Sequence, residues 1–184
     1  MRTTVDLPKA YRLINHGPTV LVSARHANRS NVMAAAWVMA LDFDPPKVAL
    51  VLDKATFTRE LILASGHFAI SVPCAAQARM VTALGTHSGR QADKLADYRV
   101  PVLDEPAAAS PLVGGCVAWL DCERIPEPEV EQRHDLFVGR VTGAWADARV
   151  FDGGHWHFER APAELRTLHH VAGGHYLAIG EAIE

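Results

Sequence analysis

The stretch NVMAAAWVMALDFDPP, residues 31–46, constrains the fold more than any other part of the chain. Three alanines between methionines favour helix by intrinsic propensity. Yet Trp37 stands in the middle and the run stops at Pro45 and Pro46. The flanking runs TVLVSARHA and KVALVLD are short and β-branched, and they read as strands. In an antiparallel barrel the stretch between them has to be a strand as well. Asn31, Met33, Ala35, Trp37 and Met39 then share one face, and Val32, Ala34, Ala36, Val38 and Ala40 the other. Alanine gains little by packing in a strand. Its repeated use leaves space beside the backbone, for a closely packed second element or for a ligand, and periodicity does not separate the two.

The barrel follows from the remaining elements. HFAISVP, CVAWLDCERI, LFVGRVTGAWAD and HWHFE all read as strands. TFTRELILASG reads as a helix with Phe57, Leu61 and Ala64 on one face, Thr56 capping its start and Gly66 closing its end. Arg59 occupies the position where a capping box would place Glu or Gln. AAQARMVTALG reads as a second helix ending at Gly85, and SGRQADKLADY as a turn followed by a short helix. PVLDEPAAASPLVGG, residues 101–115, is expected to be a long surface excursion inside a single domain spanning residues 1–184. Strands outnumber helices and do not alternate with them. The expected class is therefore mainly β, an antiparallel barrel with peripheral helices, and not a doubly wound parallel sheet.

Composition narrows the partners. The net charge is −3 and no run of Lys or Arg occurs, so the basic stripe of a nucleic-acid binder is missing. The longest uncharged run, residues 61–78, is interrupted by Ser65, Gly66, His67 and Pro73, too soon for a membrane span. The first residues, MRTTVDLPKAYRL, lack the apolar core of a signal peptide, and a cytoplasmic protein is expected. Cys74, Cys116 and Cys122 form no CxxC pair and read as small apolar residues in a reducing compartment. Cys116 and Cys122, six apart, are expected on one face of a strand.

An ordered series then stands out: Asn31, Met33, Ala34, Trp37, Asp44-Pro45-Pro46, Lys54, Thr56, Ser65-Gly66 and Phe68. It resembles the pattern of the flavin reductase-like proteins, the FMN-binding split-barrel group. The likeness continues through Ser88-Gly89-Arg90, Asp93-Lys94, His134 with Phe137 three residues on, and the tail LHHVAGGHYLAIGE. The resemblance implies a six-stranded Greek-key split barrel, a homodimer with FMN at the subunit boundary, and electron transfer from NADH or NADPH. The acceptor it implies is free flavin for a partner monooxygenase, or a small acceptor served by retained FMN. The alternative is a split-barrel protein that stores or senses FMN without turnover. Many members carry Thr where Ala34 or Ala35 stands, so backbone groups are expected to replace that hydroxyl. Some carry Asp at the place of Gln91, which removes any general role for that loop's polar contacts.

With the family in view, the residues acquire roles. Asn31, Ala34, Ala35, Ala36 and Trp37 are expected to form the wall against which the flavin ring lies, with Trp37 equally suited to core or interface packing. The turn DKATFT supplies Asp53, Lys54, Thr56, Phe57 and Thr58 at a helix start, a natural anion site for the phosphate. Arg59 stands in the same turn, and Ser88 and Arg90 are expected to add a second grip. His134 is the candidate proton donor near the reacting ring, or else a surface histidine at a strand start. No GxGxxG follows a strand, so the nicotinamide must stack in an open cleft. His155, His157, His169, His170 and His175 lack an HExxH-type spacing; no metal site is expected, and the cleft mouth or a dimer seam is their expected place.

Overall fold

A computed structural model describes residues 17–183, so the opening run MRTTVDLPKAYRL lies outside the described residues. Eleven strands and four helices follow one another. They are β1 (Val20–His26), β2 (Arg29–Ala35), β3 (Val38–Phe43), β4 (Pro46–Val51), α1 (Phe57–Ser65), β5 (His67–Val72), α2 (Ala78–Thr86), α3 (Lys94–Asp97), β6 (Ala118–Ile125), α4 (Pro128–His134), β7 (Leu136–Ala146), β8 (Phe151–Asp152), β9 (His155–Trp156), β10 (Leu168–Ala172) and β11 (His175–Ala178). One antiparallel sheet runs in the order β2-β1-β5-β6-β7-β4-β3. The protein is mainly β and a split barrel.

Residues 31–46 are not one straight strand. They divide at Ala36 and Trp37 into β2 and β3, which lie at opposite edges of the sheet. Only three peptide units separate Ala35 from Val38, a reach of roughly 11 Å. The sheet must therefore curl until its two edges meet at this corner. Ala35 pairs with Val20 on one side, Val38 with Leu50 on the other, and the Val51 amide donates to the Trp37 carbonyl at 3.0 Å. Taken as halves of one bent strand, β2 and β3 give the six-stranded barrel. The bend also resets the alternation: Met33, Ala35 and Val38 pack toward the same core, so the expected facing of Val38 is corrected.

Two layers of core result. Inside the curl, Val20, Val22, Leu50, Phe68, Ile70, Cys122 and Phe137 are buried, and Phe57, Leu61 and Ile62 of α1 pack with them. The buried side of α1 is thus Phe57, Thr58, Arg59, Leu61 and Ile62, while Ala64 is exposed, contrary to the expected face. Gly66 does end the helix in the left-handed region, with φ 75°, its amide donating to the Ile62 carbonyl. Outside the curl, Leu21, Val32, Ala69 and Trp119 pack against Val81 and Leu84 of α2 and against Leu112 and Val113.

That second layer corrects the long connection, whose latter half is structural. Ser23 donates to the Pro111 carbonyl, Ser71 accepts from the Val113 amide at 3.1 Å, and the Trp119 indole donates to the Val113 carbonyl at 2.7 Å. Its backbone groups are satisfied by side chains that point outward from β1, β5 and β6, which permits burial. Cys116 precedes β6 and joins this outer layer, whereas Cys122 faces the inner one; they do not share a face. HWHFE is also corrected, since only His155 and Trp156 are strand, paired with Phe151 and Asp152 across a Gly153-Gly154 turn. Among the described residues no helix is long and apolar enough to cross a membrane.

Gly139 marks the tightest point of the inner layer. A Cβ there would run into the Phe68 ring and stand 3.3 Å from the Cβ of Cys122. Gly139→Ala is therefore expected to lower unfolding stability by about 1–3 kcal/mol, read from denaturant midpoints at constant m-value.

Candidate functional site

The corner where the sheet edges meet opens into a cleft of about 620 Å³. One wall is Met33, Ala34, Ala35, Ala36 and Trp37. The short alanine side chains leave the main chain accessible there, as the open question about this stretch required. A second element does approach as well: a Cβ on Gly85 of α2 would lie 3.3 Å from the Ala34 Cβ. Gly85, expected to end its helix, instead lies inside it and lets α2 come close to β2 while lining the cleft. The close approach of α2 accounts for the small side chain at Ala34, and the cleft beside Ala34, Ala35 and Ala36 leaves space for a ligand.

The facing wall comes from two places in the chain. His134 and Asp135 stand at the end of α4, and His170, Gly174 and Tyr176 come from the β10–β11 hairpin. Asp135 takes a left-handed conformation with φ 56° to end α4. Its carboxylate accepts from Arg59, which also donates to the Leu52 carbonyl at 2.9 Å and to the Glu131 carbonyl at 2.9 Å. Arg59 is buried and points inward, so its expected help with phosphate is corrected. It fastens α1, the turn after β4 and the end of α4 together. Glu131 is in turn held by Arg124 at 2.6 Å, which helps keep its carboxyl below the usual range against the opposing effect of burial.

A recess of about 260 Å³ continues from the cleft toward the start of α1, sharing Met33, Ala34, Thr56, Gly85 and Thr86 with it. Thr56 holds the N-cap position, yet its hydroxyl donates back to the Asp53 carbonyl at 2.8 Å and makes no capping bond. The positive end of α1 thus faces the recess without a side-chain cap. Asn31 is buried, donates to Thr58 at 2.8 Å, and its other amide atom has no partner. Gly89 is required opposite it, because a Cβ would collide with that amide. Phe57 and Ser88 also line the recess.

The cations are arranged differently from expectation. Lys54 is exposed, lies 4.0 Å from Asp135 and lines neither cavity. Arg90 pairs with Glu60 at 2.6 Å and donates to the Ala55 carbonyl at 3.3 Å, beside the recess. Arg29 lies 4.1 Å over the Phe57 ring and donates to the Gly89 carbonyl at 3.2 Å. Lys94 is buried against the recess, its ammonium donating to Val32 O at 2.9 Å and Leu84 O at 2.7 Å. With no carboxylate bonded to it, burial pushes its pKa down to about 8. Sequence reasoning assigned roles to neither Arg29 nor Lys94; the only signal for Lys94 is its place after Asp93, whose carboxylate caps α3.

The histidines divide. His170 reaches the cleft, whereas His155 and His157 belong to the separate β8–β9 region, where His157 lies 3.3 Å from Glu159. Among the described residues no group of three His, Cys, Asp or Glu side chains is placed to hold a metal. Burial pushes the thiols of Cys74, Cys116 and Cys122 up, which makes them poor nucleophiles.

Comparison with known proteins follows this geometry. The family model for the flavin reductase like domain matches residues 11–166. The protein YddH of Escherichia coli K12 is 42% identical over 182 residues, covering 97% of this chain and 95% of that protein. A solved FMN-binding domain of a flavin reductases-like enzyme from Shewanella baltica OS155 superposes with a TM-score of 0.88 at 52% identity, covering 99% of this chain and 96% of its own. The flavoredoxin of Desulfovibrio vulgaris (Miyazaki F) superposes with a TM-score of 0.84 at 26% identity, covering 100% and 96%.

Lys94 gives the site a pH signature. Its folded pKa of about 8 lies below the ordinary lysine value of about 10.4. Between those values the unfolded chain holds the extra proton, so this group adds stability as pH rises and imposes its full cost below the lower value. In ligand-free protein the stability of the wild type relative to Lys94→Met is expected to improve on going from about pH 8 to about pH 10. Paired urea titrations at the two pH values check this; a constant difference contradicts it.

Proposed function

Because the chain belongs to the flavin reductase-like family, we propose that it is an FMN-dependent oxidoreductase. It takes electrons from NADH or NADPH and passes them to a small acceptor, or to free flavin that serves a partner monooxygenase. The observation that carries this reading is a wall of alanine backbone facing a cleft that runs on into a recess at an uncapped helix start.

The residues fit the group. Ala34, Ala35, Ala36 and Trp37 offer main-chain donors and acceptors to the edge of a flat ring. The uncapped start of α1, the Thr56 and Ser88 hydroxyls and Lys94 suit a phosphate. Phe57 forms the floor beneath Arg29 and Arg90. Lys54 acts at most from the rim, through Asp135. When bound, FMN supplies the hydride-accepting and electron-passing chemistry. The residues at the end of β2 would hold the ring, and His134, which lines the same cleft, would supply a proton there.

A second copy of the chain completes the reading. Trp37 at the corner and Met39, Leu41 and Phe43 along β3 are large apolar side chains left exposed, with Phe43 93% exposed. An unprotected apolar edge strand of this kind is stable in water only when covered. The proposed homodimer buries it beside the cleft. Phe43→Asp is expected to halve the mass measured by light scattering; an unchanged mass removes the edge from the interface.

The test of function is the visible spectrum. Protein loaded with FMN is expected to show the flavin bands after gel filtration and to bleach anaerobically on adding NADH or NADPH. Thr56→Ala combined with Lys94→Met is expected to weaken FMN at least about tenfold, from two lost charge-assisted or hydroxyl bonds. Flavin that binds without bleaching with either donor would instead identify a storage or sensing protein.

A further inference from the structure

The open end of the cleft differs in charge from its phosphate end. No Lys or Arg lines the 620 Å³ cleft among the described residues. Asp135 on its lining is paired with Arg59 and lies 4.0 Å from Lys54. Asp53 lines it with a carboxylate that caps the Ala55 amide at 2.7 Å. An acceptor bearing a carboxylate, sulfonate or phosphate would lose its hydration there and meet no fixed positive charge in return.

What the open end does supply is neutral hydrogen bonding. Tyr176 and His170 stand together on the β10–β11 hairpin, ring centroids 5.5 Å apart. Thr82 gives its hydroxyl proton to the Ala78 carbonyl at 3.0 Å and lies 3.4 Å from the Tyr176 oxygen, a contact long enough for a ligand oxygen in the cleft to compete for the phenol proton. The His170 ring nitrogens have no hydrogen bond to described residues beyond that tilted contact. Both side chains are half-buried and line the cleft opposite the alanine wall. A phenol held only by a long contact, beside an imidazole in a cleft with an alanine wall, recognises the oxygen of an uncharged planar carbonyl compound.

We propose that the acceptor taken in this cleft is a neutral quinone, and that Tyr176 and His170 select it by bonding one of its carbonyl oxygens. This rests on the FMN reading above. The net reaction converts quinone, reduced nicotinamide and one proton into hydroquinone and oxidised nicotinamide. Two electrons and one proton come from the nicotinamide, and the second proton comes from solvent.

Calorimetric binding of naphthoquinone and of its sulfonate to oxidised, FMN-loaded protein tests this. The neutral quinone is expected to bind at least about tenfold more tightly, and Tyr176→Phe to remove roughly five- to tenfold of that affinity. His170→Arg, which adds a fixed positive charge, is expected to narrow or reverse the preference for the neutral compound. The same order is expected in anaerobic reoxidation of dithionite-reduced protein. Equal binding of the two quinones by the wild type overturns the proposal, as does an unaltered preference in variants that keep their flavin bands. Protein that takes up no FMN at all overturns the functional reading itself, and the two failures are told apart by the spectrum.

Discussion

The two-residue passage through Ala36 and Trp37 is the constraint from which the rest follows. A sheet whose first and last strands are joined by so short a link cannot stay open. It curls, and the curl buries one face of every strand while leaving a seam where ladder bonding stops. At that seam main-chain groups are available without any strand being broken elsewhere. Large side chains at residues 34–36 would fill the seam and keep α2 away from β2. Small ones leave both contacts in place, and Gly85 extends the same economy of volume to the helix.

The facing wall depends on a different kind of interaction. His134 is the last residue and Asp135 the cap of a helix of only seven residues, too short to hold its own position by propensity. Arg59 supplies the rigidity, because one guanidinium satisfies a carboxylate and two carbonyls drawn from separate elements. Its ring-stacked neighbour Phe137 and the Arg124–Glu131 pair pack behind it. A buried charge partnered this fully specifies one arrangement of the elements it joins, whether or not it adds net stability. The same Arg59 that breaks the pattern of a capping box at the start of α1 thus has its use at the end of α4.

These particulars show what a sequence can disclose. The strands β1 to β7, the α1 start and stop, and the placement of Ala34, Ala35, Ala36, Trp37 and His134 around one opening were legible, because alternation, caps and the ordered motif act over short distances. The bend at Ala36 was not, since nothing local separates a strand that turns a corner from one that runs straight. The buried latter half of residues 101–117 looked like a loop because its partners, Ser23 and Ser71, are remote in sequence. The cations exchanged places for a related reason. Lys54 sits in the motif but faces water, and Lys94 sits in a short polar helix but folds inward against two strand and helix carbonyls. Which way a long side chain turns is decided by tertiary neighbours, and local pattern carries no record of them.

The separation of charge along the site gives it a direction. Arg29, Arg90 and Lys94 gather around the recess at the α1 start, while the broad end of the cleft has hydroxyls, imidazoles and carboxylates. A molecule with an anionic tail and a flat, uncharged head can lie in this groove one way round only, because reversal would desolvate the tail against Asp53 and leave Lys94 buried beside an apolar ring. Orientation is then fixed before any contact with the head is made. That leaves the open-end side chains free of an anchoring duty, so residues such as His170 and Tyr176 are able to diverge in chemistry without loosening what the recess holds.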